Sequence, residues 1–378
     1  MHRTRHLPLV LAGVLFAAAC SQDQNVTGPA QAGGPSLNAT SAGGAVYTTS
    51  NAADGNAILG FARLPDGSLT GPRVFPTGGL GTGAGLGNQG GLISGGNGRF
   101  LFAVNAGSDE ISVFRLAGRE PQLVETVPSG GTMPLSLTMH GDLLYVLNGG
   151  GAGNIAGFRV DPAGHLSPLP NSVQPLSGAG VGPAEVSFNP AGTFLVVSEK
   201  GTSMLTLYPV GPDGTAGAPA AHVSSGMTPF GFAFNQQGAL VVSEAFGGAP
   251  GASAASSYVL HRDGRLDLVS ASIGTTQTAA CWIAITPDGR FAYTTNTGSA
   301  SVSAYRVGPG SARLTLLAPA AGTTGAGPID AAIGGSFLYT LNSGGHSLSG
   351  FQVGPDGRLT SVGETTGLPV GANGLVAF

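Results

Sequence analysis

Leu101-Phe102-Ala103-Val104-Asn105-Ala106-Gly107-Ser108 decides the fold: a short apolar run ends in one polar residue, and a loop of small residues follows. The same pattern returns at residues 46–51, 144–148, 195–199, 240–244, 291–296 and 338–342. The final residues of these seven runs stand 43 to 54 positions apart, which is the length of a four-stranded blade. The chain is therefore expected to be all-β, a seven-bladed β-propeller.

Each unit continues alike, with an alternating strand such as Ile111-Ser112-Val113-Phe114 or Ser301-Val302-Ser303-Ala304-Tyr305, a tight turn and a weaker outer strand. The turns carry their own chemistry. Pro65-Asp66-Gly67, Pro212-Asp213-Gly214, Arg262-Asp263-Gly264 and Pro355-Asp356-Gly357 each supply a side-chain acceptor followed by a residue that tolerates positive φ. No segment holds a helical period. Residues 371–378 read as the first strand of a unit, whereas the N-terminal unit begins at its second strand, 45–51. The two ends are expected to share one blade, closing the ring and removing two exposed sheet edges.

The 66 glycines suit tight hairpins stacked around an axis, and charged residues make up only 9% of the chain. That charge content, with an isoelectric point near 5.9, leaves no basic patch for nucleic acid. Residues 1–19 read as an export signal: Arg3 and Arg5, then an apolar run over 7–19 too short to span a bilayer. Leu15-Phe16-Ala17-Ala18-Ala19-Cys20 resembles the bacterial lipobox, which implies a lipid on Cys20, membrane attachment, and, with Ser21 next, the outer membrane. An ordinary secretory cleavage near Ala19, with Cys20 an idle thiol, is the other reading. Residues 20–44 hold almost no large apolar group and read as the lipidated cysteine and a flexible tether, leaving 45–378 as the propeller. Cys281 is the only other cysteine, so no intramolecular disulfide accompanies a lipidated Cys20.

In an antiparallel blade the end of the second strand and the start of the first share one rim. That rim is the candidate site. It would gather Asn51, Asn105, Asn148, Glu199, Glu244, Asn296 and Asn342 from the second strands, and Glu185, Cys281, Trp282 and Asp330 from the first. Lys200, the only lysine, follows Glu199, and His346 lies on the loop after Asn342. Carboxylates, an ammonium and an imidazole at one mouth could hold a polyol or a cation, or do general acid and base work. The structural alternative is that each Asn or Glu bonds the adjacent loop backbone, that Trp282 and Phe230 are mouth-lining core, and that Cys281 is a small buried hydrophobe.

No metal site is expected: His140, His165 and His261 fall in or beside hairpin turns and His222 in an outer strand. Gly85-Leu86-Gly87-Asn88-Gln89-Gly90 matches a dinucleotide fingerprint by letter but precedes a strand instead of joining strand to helix. No cofactor is expected.

The 45–378 region resembles the lactonase-type seven-bladed propellers, the family of 6-phosphogluconolactonase and carboxymuconate-cyclising enzymes. The motifs that carry the resemblance are Gly87-Asn88-Gln89-Gly90-Gly91, the opening run 101–108, Gly180-Val181-Gly182-Pro183, Pro229-Phe230-Gly231-Phe232-Ala233-Phe234 and Cys281-Trp282-Ile283-Ala284-Ile285-Thr286-Pro287-Asp288-Gly289. Tyr293-Thr294-Thr295-Asn296-Thr297-Gly298-Ser299 also resembles the YVTN repeats of surface-layer propellers. Family members continue the Gly-x-Gly-Pro motif with Arg-His, a cation for the substrate and a base for water; here Ala184 and Glu185 stand in those places. With the family's Arg-His pair replaced, a carboxylate there repels an anionic phosphosugar, and the first of two readings is a hydrolase or isomerase on a neutral lactone or sugar derivative, with Glu185 or Glu199 as base and Lys200 or His346 polarising the carbonyl. Glu244, Asp330, Trp282, Phe230, Asn105, Asn148, Asn296 and Asn342 would bind the ligand. The alternative is a non-catalytic cell-surface propeller that binds a small molecule or an envelope protein. A monomer is expected in either case.

Overall fold

The computed structural model describes residues 36–39 and 43–378. Short runs of buried residues make antiparallel strands, and these form seven separate sheets of at least four strands, in sequential order in six of them. The innermost strands of blades 1 to 7 are Asn373–Ala377, Leu92–Gly95, Pro134–His140, Pro183–Phe188, Pro229–Phe234, Ala280–Ile285 and Pro328–Gly334, and they touch in a closed circuit in which blade 7 meets blade 1. Blade 1 is composite: its inner strand is Asn373–Ala377, paired antiparallel with Gly44–Thr49, as the sequence predicted. Phe378 N–H donates to the Ala45 carbonyl, and the Arg63 guanidinium donates twice to the Phe378 carbonyl at 3.0 and 3.1 Å. Six of the seven second strands end on the residue the pattern named. The exception is blade 1, whose strand stops at Thr49; Asn51 sits beyond it at φ 47°, with its side-chain amide bonded to Thr82 and Ala84 in the next loop.

Six of the seven apolar clusters fill the space between two neighbouring blades, and the seventh joins blades 7 and 1 to Ala184, Phe230 and Trp282 of blades 4, 5 and 6. The Asp-Gly turns tie this ring together. Gly67, at φ 87°, lies against the Phe337 ring of blade 7, while its carbonyl accepts the Tyr339 hydroxyl at 2.6 Å. The same tyrosine position in blades 3 and 6 repeats the bond: Tyr145 donates to Gly214 and Tyr293 to Gly357. Sheet alternation places these rings between blades, and the turn glycine leaves room for the aromatic edge.

Two rims follow. The upper rim carries the loops after the second and fourth strands, and the lower rim carries the hairpins after the first and third. The expectation of a flexible tether over 20–44 meets the structure only at its end, because residues 1–35 and 40–42 lie outside the described residues. Ser36 and Leu37 donate to Glu120, Asn38 bonds Ala117 and Arg119, and Leu37 is fully buried between blades 1 and 2. This short piece is docked on the lower rim and not free, since one leucine finds a wedge to fill.

Candidate functional site

The polar residues that end the second strands do not line a mouth. Asn105 donates to Ser112 and accepts from Asn56 and Thr77; Asn296 donates to Ser301 and Ser303; Asn342 donates to Ser347 and Ser349; Asn148 donates to Ser129 and Asn154. All four are fully buried. Glu199 is enclosed by Ser177 and Thr202, and Glu244 accepts from Gly226 N–H, Ser256 and Ser272 at 2.5 to 2.8 Å. These side chains fasten the second strand to the neighbouring strand and loop, mostly through serine and threonine hydroxyls where the structural alternative expected loop backbone.

The upper end of the axis is closed by the segment Gly85 to Gly91. Gln89 N–H donates to the Ala184 carbonyl of blade 4, and its side-chain amide pairs with both backbone groups of Ile283 in blade 6 at 2.7 and 3.2 Å. Asn88 bonds Leu135 of blade 3 and exchanges amide hydrogen bonds with Asn373 of blade 1. Trp282 Nε1–H donates to the Asn88 carbonyl. Lys200 donates to the Gly87 carbonyl and stands 4.4 Å above the Phe230 ring, which packs against Trp282 at 4.7 Å. Lys200, Phe230 and Trp282 thus hold a plug.

Beneath the plug lies an axial cavity of about 390 Å³, walled by inner strands of blades 1, 2, 3, 4 and 7. Glu185 and Asp330 lie at its inner level, with Gln89 from the plug, and both carboxylates are nearly buried. Toward the strand ends the lining turns half-exposed at Ile93, Met139, Ser187, Ala332, Ile333 and Ala377, so the cavity opens on the lower rim. That is the opposite rim from the one expected.

Glu185 and Asp330 occupy one register. The residue there reaches the next blade: Ser136 accepts Val186 N–H, Glu185 Oε2 accepts Phe232 N–H at 2.6 Å, and Asp330 accepts the Leu375 amide as well as its own neighbour Ala331. In blade 5 this position is Gly231, and the Gln89 amide fills the space a side chain would take. Burial pushes the Asp330 carboxyl up to about 8. Burial raises Glu185 well above the usual carboxylate range, the Phe232 amide opposing it and the Asp330 charge adding to it.

Of the expected catalytic set, only Glu185 lines the cavity, joined by Asp330 from the expected binding set. Glu199, Lys200, Glu244, Phe230, Trp282 and the four asparagines surround it as structure, and His346 is exposed on an upper loop, where its carbonyl accepts Leu368 N–H. Cys281 is buried, as expected of a small hydrophobe. Gln89, Ser94, Thr138 and Ser187 were missed. For the strand residues the only signal was position on inner strands, which the repeat supplied for Glu185 and Asp330; Gln89 lies on the plug, where the family motif was its signal. Among the described residues no group of three or more His, Cys, Asp or Glu could hold a metal.

A family model described as a lactonase, 7-bladed beta-propeller, matches residues 65–179 and 255–378. No curated protein matches the chain. Among solved structures, the periplasmic gluconolactonase of Pseudomonas aeruginosa is 19% identical, covers 87% of this chain and 98% of its own, and superposes with a TM-score of 0.68. A Bacteroides fragilis protein carrying the provisional name 6-phosphogluconolactonase is also 19% identical, with coverage of 91% and 99% and a TM-score of 0.66. A Lactobacillus plantarum protein is 16% identical, with coverage of 89% and 99% and a TM-score of 0.69. At these identities the structural likeness speaks for the fold alone. The family match spans more than half of the chain, and with it the protein belongs to the lactonase family of seven-bladed β-propellers.

Proposed function

We propose that this protein is an exported lactonase-like propeller that hydrolyses a neutral lactone or sugar derivative in the axial cavity. The observation that carries the reading is the pair Glu185 and Asp330, set three blades apart on one cavity whose lining includes no basic side chain. A carboxylic acid held protonated near neutral pH can donate, and an ionised partner can accept. Asp330, whose charge helps keep Glu185 protonated, takes a proton from water as the water oxygen bonds the lactone carbonyl carbon; the ring C–O bond breaks, and Glu185 gives its proton to the departing oxygen. The family match omits residues 180–254, the stretch that holds Ala184 and Glu185.

A negatively charged substrate is disfavoured by the ionised member of the same pair. At an effective dielectric near 20, two like charges about 4 Å apart cost up to about 4 kcal/mol, nearly a thousandfold in binding. The full-length protein is therefore expected to turn over glucono-δ-lactone in preference to 6-phosphogluconolactone, and Glu185→Gln, which keeps an acceptor for Phe232, is expected to abolish turnover. Rapid hydrolysis of the phosphorylated substrate would overturn the substrate class.

A non-catalytic scaffold is the second reading, favoured by one fact: both carboxylates accept amides of the neighbouring blade, as Ser136 does. Full activity in Glu185→Gln and Asp330→Asn would leave them that role alone. Envelope attachment through Cys20 is part of the proposal, and Cys20 lies outside the described residues. Cys20→Ala is expected to move the protein from the membrane to the soluble fraction, and unchanged membrane fractionation would refute the anchor.

A further inference from the structure

The low charge content of the chain hides a segregation. Of the twelve arginines in the described residues, eleven lie in lower-rim hairpins or on the strand ends beside them, and the twelfth, Arg73, pairs with Glu120 of one such hairpin. Nine acids share that rim. Elsewhere the described residues hold nine further acids and one lysine, with Asp54, Asp109 and Glu110 on upper loops. The lower rim is therefore net positive and the remainder net negative. Arg99, Arg115, Arg262, Arg306 and Arg313 are exposed and form no ion pair among the described residues.

The N-terminal part of the chain arrives at the same rim. Asn38 accepts Arg119 N–H at 2.7 Å and donates to the Ala117 carbonyl at 3.0 Å, serving the blade 2 hairpin as Asp66 serves Ser68 N–H in blade 1. Leu37 fills the wedge between blades 1 and 2, so Ser36 is held at the lower rim, sixteen residues after Cys20. A flexible tether of that length spans about 20 to 25 Å on average. Carrying the upper rim to the lipid would take the same tether up the side of a blade, whose strands alone run about 20 Å.

From these two observations we infer that the lower rim, with the mouth of the axial cavity, faces the bilayer and rests on the headgroup phosphates of anionic lipid. Exposed guanidinium groups pair with phosphate, and the negative surface potential repels the acidic upper loops. A substrate then reaches Glu185 and Asp330 from the membrane side. The inference rests on Cys20 carrying the lipid.

The test places the lipidated full-length protein on vesicles of phosphatidylethanolamine and phosphatidylglycerol that contain a headgroup-nitroxide lipid, with a fluorophore on Ser336→Cys or on Asp54→Cys. Ser336 is exposed in a lower-rim hairpin and Asp54 on an upper loop; Cys281 is buried, and an acylated Cys20 has no thiol to label. Quenching is expected to be severalfold stronger at Ser336. Arg262→Gln with Arg313→Gln is expected to lower the ratio of the two signals, by up to about fivefold for each arginine removed. Equal quenching, or stronger quenching at Asp54, overturns the orientation and leaves the anchor standing. A ratio that the double substitution leaves unchanged overturns the phosphate contact. Wild-type protein that takes the label at Cys20, or that washes off the vesicles, removes the anchor and this inference with it.

Discussion

Asp330 shows how one buried carboxyl couples the site to stability. Its folded-state value of about 8 lies far above the ordinary 3.8, because burial penalises the charged form. Between these values the folded protein keeps a proton that the unfolded chain has released. The stabilisation is full below about pH 4 and is lost as pH rises toward 8, by at most roughly 1.4 kcal/mol for each pH unit crossed. Glu185 acts with the same sign. Melting temperature is therefore expected to fall from pH 5 to pH 8, and Asp330→Asn, which cannot ionise, should flatten part of that fall. Equal slopes in the two proteins would refute the buried titration. The turn aspartates, Asp66 and Asp213 among them, are held below their usual range by Ser68 and Thr215, so their contribution is lost only in stronger acid. Sequence could separate turn acids from the rest because the Asp-Gly pattern is local. It could not separate Glu185 and Asp330 from Glu199 and Glu244, because the hydroxyls that enclose the latter, Ser177, Ser256 and Ser272, stand 12 to 28 residues away.

The plug is the element that the sequence concealed. Its letters, Gly87-Asn88-Gln89-Gly90-Gly91, mark the family, yet its partners are spread over blades 1, 3, 4 and 6, up to 285 residues away. Periodicity reports which face of a strand is buried and has nothing to say about a loop that crosses the axis. The consequence for function is direct, since closure of the upper end leaves the lower rim as the route to Glu185 and Asp330. Gln89→Ala would strip the Ile283 N–H and carbonyl of their partners, at about 1 to 3 kcal/mol for each group left buried and unpaired. Trp282 is the only tryptophan in the chain, and its indole N–H is bonded to the plug. The variant should therefore unfold at lower denaturant and show tryptophan emission shifted to the red as water reaches the indole. Unchanged emission and unchanged stability would mean that Gln89 does not hold the plug in place.

Across the whole molecule the fold was legible because a repeat states its answer seven times, and the turn and strand patterns agree within each copy. Closure was legible too, from two incomplete ends that complement each other. What the structure adds is the strength of that closure. The strand Asn373–Ala377 pairs with Gly44–Thr49, the Thr49 hydroxyl bonds the Asn373 carbonyl at 2.7 Å, and Asn373 also receives the plug through Asn88. Leu375 N–H is the partner of Asp330, and Leu375 and Val376 line the axial cavity. Removing residues 371–378 would thus leave Gly44–Thr49 of blade 1 with an unpaired edge, uncover the side of blade 7, release one anchor of the plug, strip Asp330 of a donor and open the cavity wall in a single cut. The melting temperature is expected to drop by far more than fraying of a terminal strand would cause, and the axial site should be lost even where the remaining blades persist. A synthetic peptide of 371–378 added in excess should restore part of both, since the groove beside Gly44–Thr49 would still present its unpaired edge. A truncated protein that melts where the full chain does, and keeps its ligand, would show that the ring closes without this strand.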